Sequence, residues 1–574
     1  MRSPHRPIIT RALLIGTAFS LLPACTQKEP PPPVALPTDK DSVTLIEKTP
    51  VIDVHTHTFN ARFLPVKGIA LGKRDIHPLL SLASDELVIA IANLIVWTTP
   101  KSPDPSDKRH LSPSDRQPNS RLMEDLARSV NRDAMALQGN RKPRSITPEK
   151  VASEPAVQGY IKLKTGESTF DNLSAPEKAR LTQVVKMFGD GSATATQNRE
   201  GKDEIKHFID TLTSDEAAME GLFRLDHTIQ RKRQVDLIVS HMMDMAPTYN
   251  QPEDGKDLLK FERQQIPRVN RQQQKANGNM LYFAAYSPFR DQWGEGAAKG
   301  HALQIVKDAY HKQGAFGVKV YPPSGYAPSG NVIPHCPFSF ASQPCEQWKA
   351  RYKPNGVKLD PTVLDDRLLE LFRWCVAEDV PVFTHCGTGE FQARKGYAKL
   401  AHPQHWKRLL TRHPELSNLR LCFGHAGAGG FWFDSSEDAD WGRTVYELCC
   451  QYPNVYCEFG CFDAIADPVA RANFTRQLAS LIKKSHDDQT PFQFSKKIMY
   501  GSDWFMPMPA AADRVNYLNS FRVAILKAGG PQPAELYRRF FFKNALDYLN
   551  APKRIQKGGL PPALKLHLNS LLDM

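Results

Sequence analysis

The sequence predicts a (β/α)8 barrel with one large, mainly helical insertion after its first strand. Two observations predict this fold: eight short apolar segments follow one another along the chain, and amphipathic segments separate several of them. Eight parallel strands with helical crossovers form the barrel of many enzymes. The expected strands are residues 51–54, 235–239, 280–285, 317–320, 380–383, 421–423, 455–459 and 497–500.

The connection after the first expected strand is far longer than the others. Between the first and second strands lie about 180 residues, where a βα connection usually takes two to six. We therefore assign residues 59–233 to an insertion, with helices expected over 175–188 and 203–224. Because catalytic barrels place their sites at the carboxyl ends of the strands, the insertion is expected over that end, as a lid or a substrate wall.

Helical periodicity supports the crossovers in the second half of the chain. In residues 361–378, the side chains of Leu364, Leu368, Leu371 and Cys375 share one face, which is typical of a helix packed on a sheet. Residues 468–484 show the same pattern less regularly. Two more helices, over residues 510–526 and 533–549, are expected to close the barrel, which spans 51–550, and residues 551–574 are expected to form a tail.

Composition and charge exclude several classes of protein. The chain has 574 residues, of which 41% are hydrophobic and 24% charged, so disorder or a fibrous structure is excluded as its main state. Its 74 Lys and Arg against 61 Asp and Glu give a net charge of +13. This mild excess suits an anionic surface or an acidic substrate, but without dense basic tracts we expect no binding of nucleic acid.

The N-terminus has the layout of a secretory signal peptide over residues 1–25. Three arginines (Arg2, Arg6 and Arg11) precede an apolar stretch over residues 12–22, and no acidic residue occurs. The ending Leu22-Pro23-Ala24-Cys25 resembles the bacterial lipoprotein signal, in which the cysteine is lipidated, although Pro23 departs from the usual pattern. A plainly cleaved signal is the main alternative, and an Arg-rich transit peptide is a further one.

The residues after Cys25 fit a tether between a lipid anchor and a folded domain. Residues 26–50 are polar and rich in proline, a composition that favours extended chain. We therefore expect an exported protein of the bacterial cell envelope or periplasm that contacts the membrane through its N-terminal lipid alone. A soluble periplasmic protein is the alternative.

The ten cysteines do not indicate a cysteine metal site, because no CxxC pair is present. Cys336 and Cys345 share one loop rich in proline and serine and could form a disulfide in an oxidising compartment. The cysteines at 375, 422, 449, 450 and 457 lie in apolar segments and are expected to be small buried side chains.

Histidine and aspartate follow four of the expected strands at the same end. His55 and His57 end the first strand and are two residues apart, so both rings can face one site. His385 and His425 each follow an apolar strand, and Asp503 ends the last one. Each is ordinary alone, but three histidines with one carboxylate at a single face suit Zn²⁺ or a similar divalent ion.

Around these positions the sequence resembles the amidohydrolase superfamily, in the amidohydrolase-related branch that includes aminocarboxymuconate-semialdehyde decarboxylase. The resembling stretches are VIDVHTHTF, GAFGVKVYPPSG, PVFTHCGTGE, LRLCFGHAG, NVYCEFG and IMYGSDW, with FFFKNALDYLN similar to the closing helix of the family. The first six span residues 51–504. The long insertion and the N-terminal tether lie outside the resemblance.

The resemblance implies roles for individual residues. His55, His57, His385 and Asp503 would hold one divalent ion, most simply zinc, with manganese or iron as alternatives. The ion would activate a water molecule and polarise a substrate carbonyl. Asp503 would act as general base and His425 would orient the water or stabilise an oxyanion. Asp53 would orient a ligand histidine, or be a simple strand-end carboxylate.

Three further residues are candidates for substrate binding. Lys319 could hold an anionic group of the substrate as an ammonium; in other branches of the superfamily a carboxylated lysine here bridges two metals, a reading that we favour less. His241 follows the second strand and could reach the site, although a structural histidine fits as well. Arg290 follows the third strand and could bind a carboxylate, or be a surface arginine.

The leading functional hypothesis is a metal-dependent hydrolase that cleaves an amide, lactone or related carbonyl bond of a small molecule, for which an anionic group is one possibility. The same ligands could serve a non-oxidative decarboxylase, which is the alternative. A non-catalytic envelope scaffold is the third hypothesis, disfavoured because all five metal-site positions are filled. Barrels of this branch often form homodimers, and the sequence leaves this open.

Overall fold

A computed structural model describes most of the chain. The described residues are 33–64, 66, 69, 85–99, 111–138, 145–188, 204–215, 218–229, 232–245, 258–291, 301–331, 361–388, 391–393, 396–433, 436, 438–506 and 514–574. Within these ranges, no helix combines the length and the apolar character that crossing a membrane requires. The expected signal over 1–25, with Cys25, and the expected disulfide partners Cys336 and Cys345 lie outside the described residues.

Eight parallel strands form the barrel, as the sequence predicts. Each strand pairs with the next in chain order, so that the order of the strands around the barrel follows their order in the chain. The strands are β1 (Ile52–Thr56), β2 (Leu237–His241), β3 (Met280–Tyr286), β4 (Gly317–Val320), β5 (Val382–His385), β6 (Leu421–Gly424), β7 (Val455–Glu458) and β8 (Ile498–Met499).

The barrel closes between β1 and the segment that follows β8. The amide of Val54 donates to the Tyr500 carbonyl at 3.1 Å, and the amide of Asp503 donates to the His55 carbonyl at 2.7 Å. Thr56 and Trp504 then form an isolated parallel bridge. β8 is short, so the barrel is closed by contacts of the segment that follows it. These contacts bring the end of β1 next to that segment, and with them the predicted metal ligands His55 and Asp503.

Helices lie between the strands at the predicted places. Residues Pro361–Glu378 form a helix with the predicted bounds, and Pro468–Asp487 extends three residues beyond the prediction. Residues 533–549 are helical throughout, with a π-helical turn over Arg539–Lys543 between two α-helices. Of the helix predicted over residues 510–526, the structure describes the part from Arg514 onward, and the helix Arg514–Ala528 is present there.

The described part of the insertion is mainly helical. The helix predicted over 175–188 is present as Ala175–Phe188, whereas the one predicted over 203–224 is two helices, Glu204–Leu212 and Met219–Asp226. The other helices of the insertion are Asp85–Thr98, Arg121–Gln138, Pro148–Ala152 and Pro155–Thr165. A short hairpin of Thr228–Ile229 and Lys232–Arg233 leads into β2.

The segment predicted to be an extended tether contains a helix. Residues Lys40–Lys48 are helical, with the Asp39 side chain accepting a hydrogen bond from the Ser42 amide as an N-terminal cap. Leu45 is buried on one face of this helix. The last nine residues before Thr49 contain no proline, so a capped helix is available there, whereas residues 33–38 before it form neither helix nor strand.

The segment predicted to be a tail also contains helices. They close the end of the barrel that lies opposite the carboxyl ends of the strands. Residues Ala551–Gln556 and Pro562–Leu572 are helical. Leu564, Leu568 and Leu571 belong to the same buried cluster as the side chains that fill the barrel interior, including Ile52 and Leu237. The second of these helices therefore supplies the floor of the barrel core.

Candidate metal centre

The end of β1 brings two histidines to one site although they belong to an irregular strand. Ile52 and Val54 belong to the cluster inside the barrel, so regular alternation would turn His55 away from it. The pairing of β1 with β2 shifts register between Asp53 and Thr56, which is the signature of a bulge. With this shift the rings of His55 and His57 lie 5.2 Å apart between centroids and face the same site.

Asp503 joins these two histidines after β8. Its Oδ1 atom lies 3.1 Å from His55 Nε2 and 3.0 Å from His57 Nε2. All three side chains are buried, and one atom of each lies within 4.8 Å of the others, so they form a group that could hold a metal ion. The structure thus brings together three of the four predicted ligands in one compact group.

Hydrogen bonds leave the ligand nitrogen of His57 without a proton when the ring is neutral. Its Nδ1 lies 2.9 Å from the His241 carbonyl, which can only accept, so Nδ1 is the donor. The other nitrogen, Nε2, is then an acceptor that faces a carboxylate oxygen at 3.0 Å. Two acceptors at this distance repel each other unless a cation lies against both, which is the arrangement that a metal ion satisfies.

His385 is presented in the same way, through His425. The Nδ1 atom of His425 donates to the Gly460 carbonyl at 3.0 Å, so its Nε2 accepts from His385 Nδ1 at 3.1 Å. The remaining nitrogen of His385, Nε2, is buried and has no hydrogen-bond partner. Among the described residues, His385 does not belong to the group of His55, His57 and Asp503, whose ligand atoms lie within 4.8 Å of one another. Its unpaired nitrogen is nevertheless the atom that a ligand role requires.

The protonation states suit a divalent cation. Burial, together with the charge of Lys319 and neighbouring imidazoles, holds the pKa of His55 well below its usual value. Burial lowers the pKa of His385 in the same way. Burial by itself would raise the pKa of Asp503, but the contact with His57 and the charges of His425 and Lys319 outweigh it and lower the pKa. Neutral imidazoles and an ionised carboxylate are the forms that bind metal.

Two residues of the site have a strained backbone. His425 has φ of 62° and Asp503 has φ of 56°, both in the left-handed region that side chains other than glycine rarely adopt. Such conformations cost on the order of 1–3 kcal/mol and occur where the surrounding structure over-determines them, often at active sites. At these two positions the conformation directs the side chains toward the predicted metal ligands.

Glu458 is the residue of the site that the sequence did not single out. At the end of β7, its Oε1 accepts hydrogen bonds from His55 Nδ1 at 2.8 Å and from the His425 amide at 2.7 Å. Oε2 accepts from the Gly460 amide at 2.5 Å. Burial raises the pKa of Glu458 to about 8, against the effect of the His425 and Gly460 amides. When this group is ionised, as a bound divalent cation would favour, a carboxylate on the far nitrogen of a ligand histidine orients the ring and increases its basicity.

Glycine is required next to this carboxylate. A Cβ atom at Gly501 would lie 1.9 Å from Glu458 Oε2 and 3.0 Å from the His55 Cβ, and neither neighbour belongs to a flexible surface side chain. The Gly-Ser-Asp sequence after β8 therefore has a physical reason: its glycine lets Glu458 approach the strand that carries Asp503. Asp53 supports the same segment, since its Oδ1 accepts from the amides of His55 and Ser502.

Lys319 is buried inside the barrel mouth. Its side chain is 2% exposed, and Nζ lies 4.2 Å from the centroid of the Phe383 ring. Burial lowers its pKa to about 8, although the carboxylates of Asp503 and Glu458 act in the opposite direction. Lys319 therefore lies near the site, as predicted. Its ammonium group contacts an aromatic face rather than a single carboxylate.

His241 and Arg290 occupy different surroundings. The Nε2 atom of His241 donates to the Val54 carbonyl at 2.8 Å, and its ring lies 5.2 Å from that of His55, which places it at the site. Arg290 is fully buried and forms two hydrogen bonds of 2.5 Å with the Asp244 carboxylate. The alternative of a surface arginine is thus wrong, and the guanidinium is already engaged by a carboxylate of the protein.

The insertion reaches the site through Trp504. The Trp504 indole Nε1 donates to Asp226 Oδ2 at 2.9 Å, and the ring packs edge-on against Phe223 at 5.4 Å between centroids. Phe505 contacts Phe59 and Phe208 in the same region. These contacts place the insertion at the carboxyl ends of β1 and β8, which is the end at which the sequence predicted it.

One protein-family model matches the second half of the barrel. Residues 349–550, which contain β5 to β8 and therefore His385, His425 and Asp503, match the family model described as amidohydrolase. This part of the chain is therefore similar to the amidohydrolases. Together with the eight-stranded barrel, this match confirms the resemblance seen in the sequence. Among curated proteins, none matches this chain.

Several solved structures are similar to this chain. A candidate metal-dependent hydrolase from Lactobacillus casei shares 12% identity over 89% of this chain and 98% of its own, with a TM-score of 0.37. The 5-carboxyvanillate decarboxylase of Novosphingobium aromaticivorans, with bound manganese, shares 12% identity over 61% and 86%, with a TM-score of 0.35. A 2,6-dihydroxybenzoate decarboxylase shares 14% identity over 56% and 85%, with a TM-score of 0.31.

Proposed function

We propose that the chain is a metal-dependent enzyme that hydrolyses an amide, lactone or related carbonyl bond of a small anionic molecule. The observation that carries the proposal is the contact of Asp503 Oδ1 with the Nε2 atoms of His55 and His57, at 3.1 and 3.0 Å. In this arrangement acceptor atoms converge in a buried site. His385 would complete the ligand set with its unpaired Nε2.

A bound divalent ion, which we propose to be a single zinc ion with manganese or iron as alternatives, would supply Lewis-acid chemistry at the substrate carbonyl and at water. Asp503, whose pKa is lowered, is ionised at neutral pH and can accept the proton of the attacking water and return it to the leaving group. His425 is neutral and is held by its hydrogen bond to the Gly460 carbonyl. It would orient the water molecule or the substrate oxygen beside His385.

The electrostatics of the site favour an anionic substrate. Lys319 is the cation inside the barrel mouth, and its ammonium contacts the Phe383 ring at 4.2 Å. A substrate carboxylate would gain a charge-assisted contact in a poorly solvated place. His241 could accept a hydrogen bond from a donor group of the substrate, because its Nδ1 is buried without a partner and its Nε2 donates to the Val54 carbonyl. We do not assign substrate binding to Arg290, since Asp244 occupies its guanidinium.

The same buried ammonium gives a second candidate function. A carboxylate held beside Lys319 could be lost as carbon dioxide instead of serving as an anchor, so decarboxylation of a small acid uses the same residues. The two reactions differ in product. Hydrolysis releases an acid with an alcohol or amine, whereas decarboxylation releases carbon dioxide and leaves a proton on the carbon that carried it.

The experiment that tests the proposal begins with metal content. We expect elemental analysis of the purified chain to give about one divalent ion per chain, with loss of the ion in His55→Ala and Asp503→Asn. The loaded protein is then assayed on amides, lactones and aromatic acids, with carbon dioxide release measured in parallel. Absence of metal in protein prepared in excess zinc or manganese would refute the metal-dependent function.

We also propose that the chain is exported and anchored in the cell envelope through a lipid on Cys25. The support is the order of Arg2, Arg6 and Arg11, the apolar stretch over 12–22, and the small residue before the cysteine. Incorporation of a labelled fatty acid in cells would test this, with Cys25→Ser as the matched control. Labelling that persists in Cys25→Ser would contradict the assignment.

A further inference from the structure

Trp504 joins the metal centre to the insertion. It follows the ligand Asp503 directly and is fully buried. Its indole Nε1 donates to Asp226 Oδ2, in a hydrogen bond between residues 278 positions apart in the chain. Asp226 is the last residue of the helix Met219–Asp226, so a carboxylate of the insertion binds the residue next to a metal ligand.

The backbone of Trp504 takes part in the metal centre. Its carbonyl accepts from the His57 amide at 2.5 Å, and the preceding amide, that of Asp503, donates to the His55 carbonyl at 2.7 Å. These bonds connect three of the proposed ligands through the peptide groups on either side of Asp503-Trp504. A shift of Trp504 would therefore move Asp503 relative to both histidines.

Asp226 is in turn held in one orientation. Its two carboxylate oxygens lie 2.9 and 3.1 Å from His207 Nε2, on the preceding helix of the insertion. Phe223 packs against the Trp504 indole and stacks on His227 at 4.0 Å between centroids. The position of the indole N–H is thus determined by two helices that the barrel itself does not contain.

Resting on the proposed metal centre, we propose that Asp226 is a positioning residue: through the Trp504 indole it sets the place of the Asp503 carboxylate between His55 and His57. The insertion then does more than cover the barrel mouth, because it supplies a hydrogen bond that the ligand geometry depends on. A buried hydrogen bond with a purely structural role would stabilise the fold but leave the metal geometry unchanged.

Cobalt is a suitable probe, because the visible absorption of bound Co²⁺ reports ligand geometry without any substrate. The variants are made in the full chain. Asp226→Leu removes the acceptor, whereas Asp226→Asn keeps an oxygen that can accept from the indole. Tyr160→Phe is the matched control, since it removes a buried hydrogen bond of 2.6 Å between Tyr160 and Thr98 within the insertion.

We expect Asp226→Leu to weaken Co²⁺ binding by about tenfold and to change the absorption spectrum. Asp226→Asn should restore most of the affinity and the wild-type spectrum, and Tyr160→Phe should leave both unchanged. A folded Asp226→Leu protein with wild-type affinity and spectrum would overturn the inference while leaving the metal centre intact. If wild type itself binds no Co²⁺, the proposed function fails, and the inference with it.

A second variant covers the case in which Asp226→Leu does not fold. Trp504→Phe keeps an aromatic ring against Phe223 and removes the N–H donor together with part of the buried ring system. We expect the same spectral change in this variant as in Asp226→Leu. A wild-type spectrum and affinity in folded Trp504→Phe would show that the indole hydrogen bond does not position Asp503.

Discussion

The Oε1 atom of Glu458 lies 2.8 Å from His55 Nδ1, on the side of the ring opposite to Asp503. A carboxylate in this place fixes which nitrogen of His55 carries the proton and leaves Nε2 to the metal. The same oxygen accepts from the His425 amide, so one buried side chain orients residues of β1 and of the segment after β6.

Glu458→Gln should therefore weaken metal binding without removing a ligand. An amide at this place is a weaker acceptor for His55, and we expect the affinity for zinc to fall by roughly 10- to 100-fold. The measurement is competition with a chelator of known affinity, followed by elemental analysis. Glu447→Gln, at a partly exposed surface ion pair with Lys407, is the control. Equal zinc affinity in Glu458→Gln and wild type would contradict the role of Glu458.

Gly501→Ala should disturb the same carboxylate by steric contact. The added methyl group would overlap Glu458 Oε2 at 1.9 Å, so the side chain or the strand must move. We expect a loss of roughly 1–3 kcal/mol in the free energy of unfolding, together with weaker metal binding. Gly221→Ala is the matched control, since its added Cβ meets no atom within 4 Å. Unfolding in urea and metal titration measure the two effects, and wild-type values in Gly501→Ala would refute the predicted overlap.

Lys319→Met should stabilise the metal-free protein at neutral pH while it impairs function. The pKa of Lys319 is lowered to about 8, from an unfolded value near 10.5, so burial of the charged form costs up to about 3 kcal/mol below pH 8. The unfolded chain binds the proton more tightly, so this cost decreases as pH rises from 8 toward 10.5.

Urea unfolding of the two metal-free proteins at pH 7 and pH 9.5 measures this effect. We expect Lys319→Met to be the more stable at pH 7 and the difference to be smaller at pH 9.5. Activity on anionic substrates should fall mainly through a higher KM. An unchanged KM would remove Lys319 from substrate binding, and a stability difference that does not depend on pH would contradict the assigned cost.

Arg290→Ala should act on stability. The guanidinium is fully buried and forms a two-bond ion pair with Asp244, so its removal leaves a buried carboxylate without its cation. Breaking one side of such a pair costs about 3–5 kcal/mol. The expected result is a lower free energy of unfolding with the metal affinity retained. A stable Arg290→Ala protein that has lost only substrate affinity would instead support the substrate-binding role predicted from the sequence.

The barrel could be predicted because its strands are nearly continuous apolar runs, as buried parallel strands are. The metal ligands could be predicted for a related reason: a polar residue at the end of such a run stands out, as His385 does after Val382 and Phe383. Glu458 ends β7 in the same manner, within Val-Tyr-Cys-Glu-Phe, so the signal that identified the histidines was present there too.

Other features depend on contacts that a sequence pattern does not contain. Asp226 is one of several acidic residues in a helical segment, and its importance comes from Trp504, which is 278 positions away. The bulge between Asp53 and Thr56 could not be predicted, because no glycine occurs in this segment. The helix over Lys40–Lys48 follows a proline-rich stretch. The composition of that stretch favours an extended chain over the whole segment, although Asp39 supplies an ordinary N-terminal cap.

The floor of the barrel has a consequence for the order in which the protein can be made. Leu564, Leu568 and Leu571 complete an apolar core whose other members include Ile52 and Leu237. A nascent chain cannot form this core until residues near 571 have left the ribosome, when more than 500 residues have already been synthesised after β1. All eight strands are therefore synthesised well before the barrel core can be completed, so the strands must wait for the helix Pro562–Leu572.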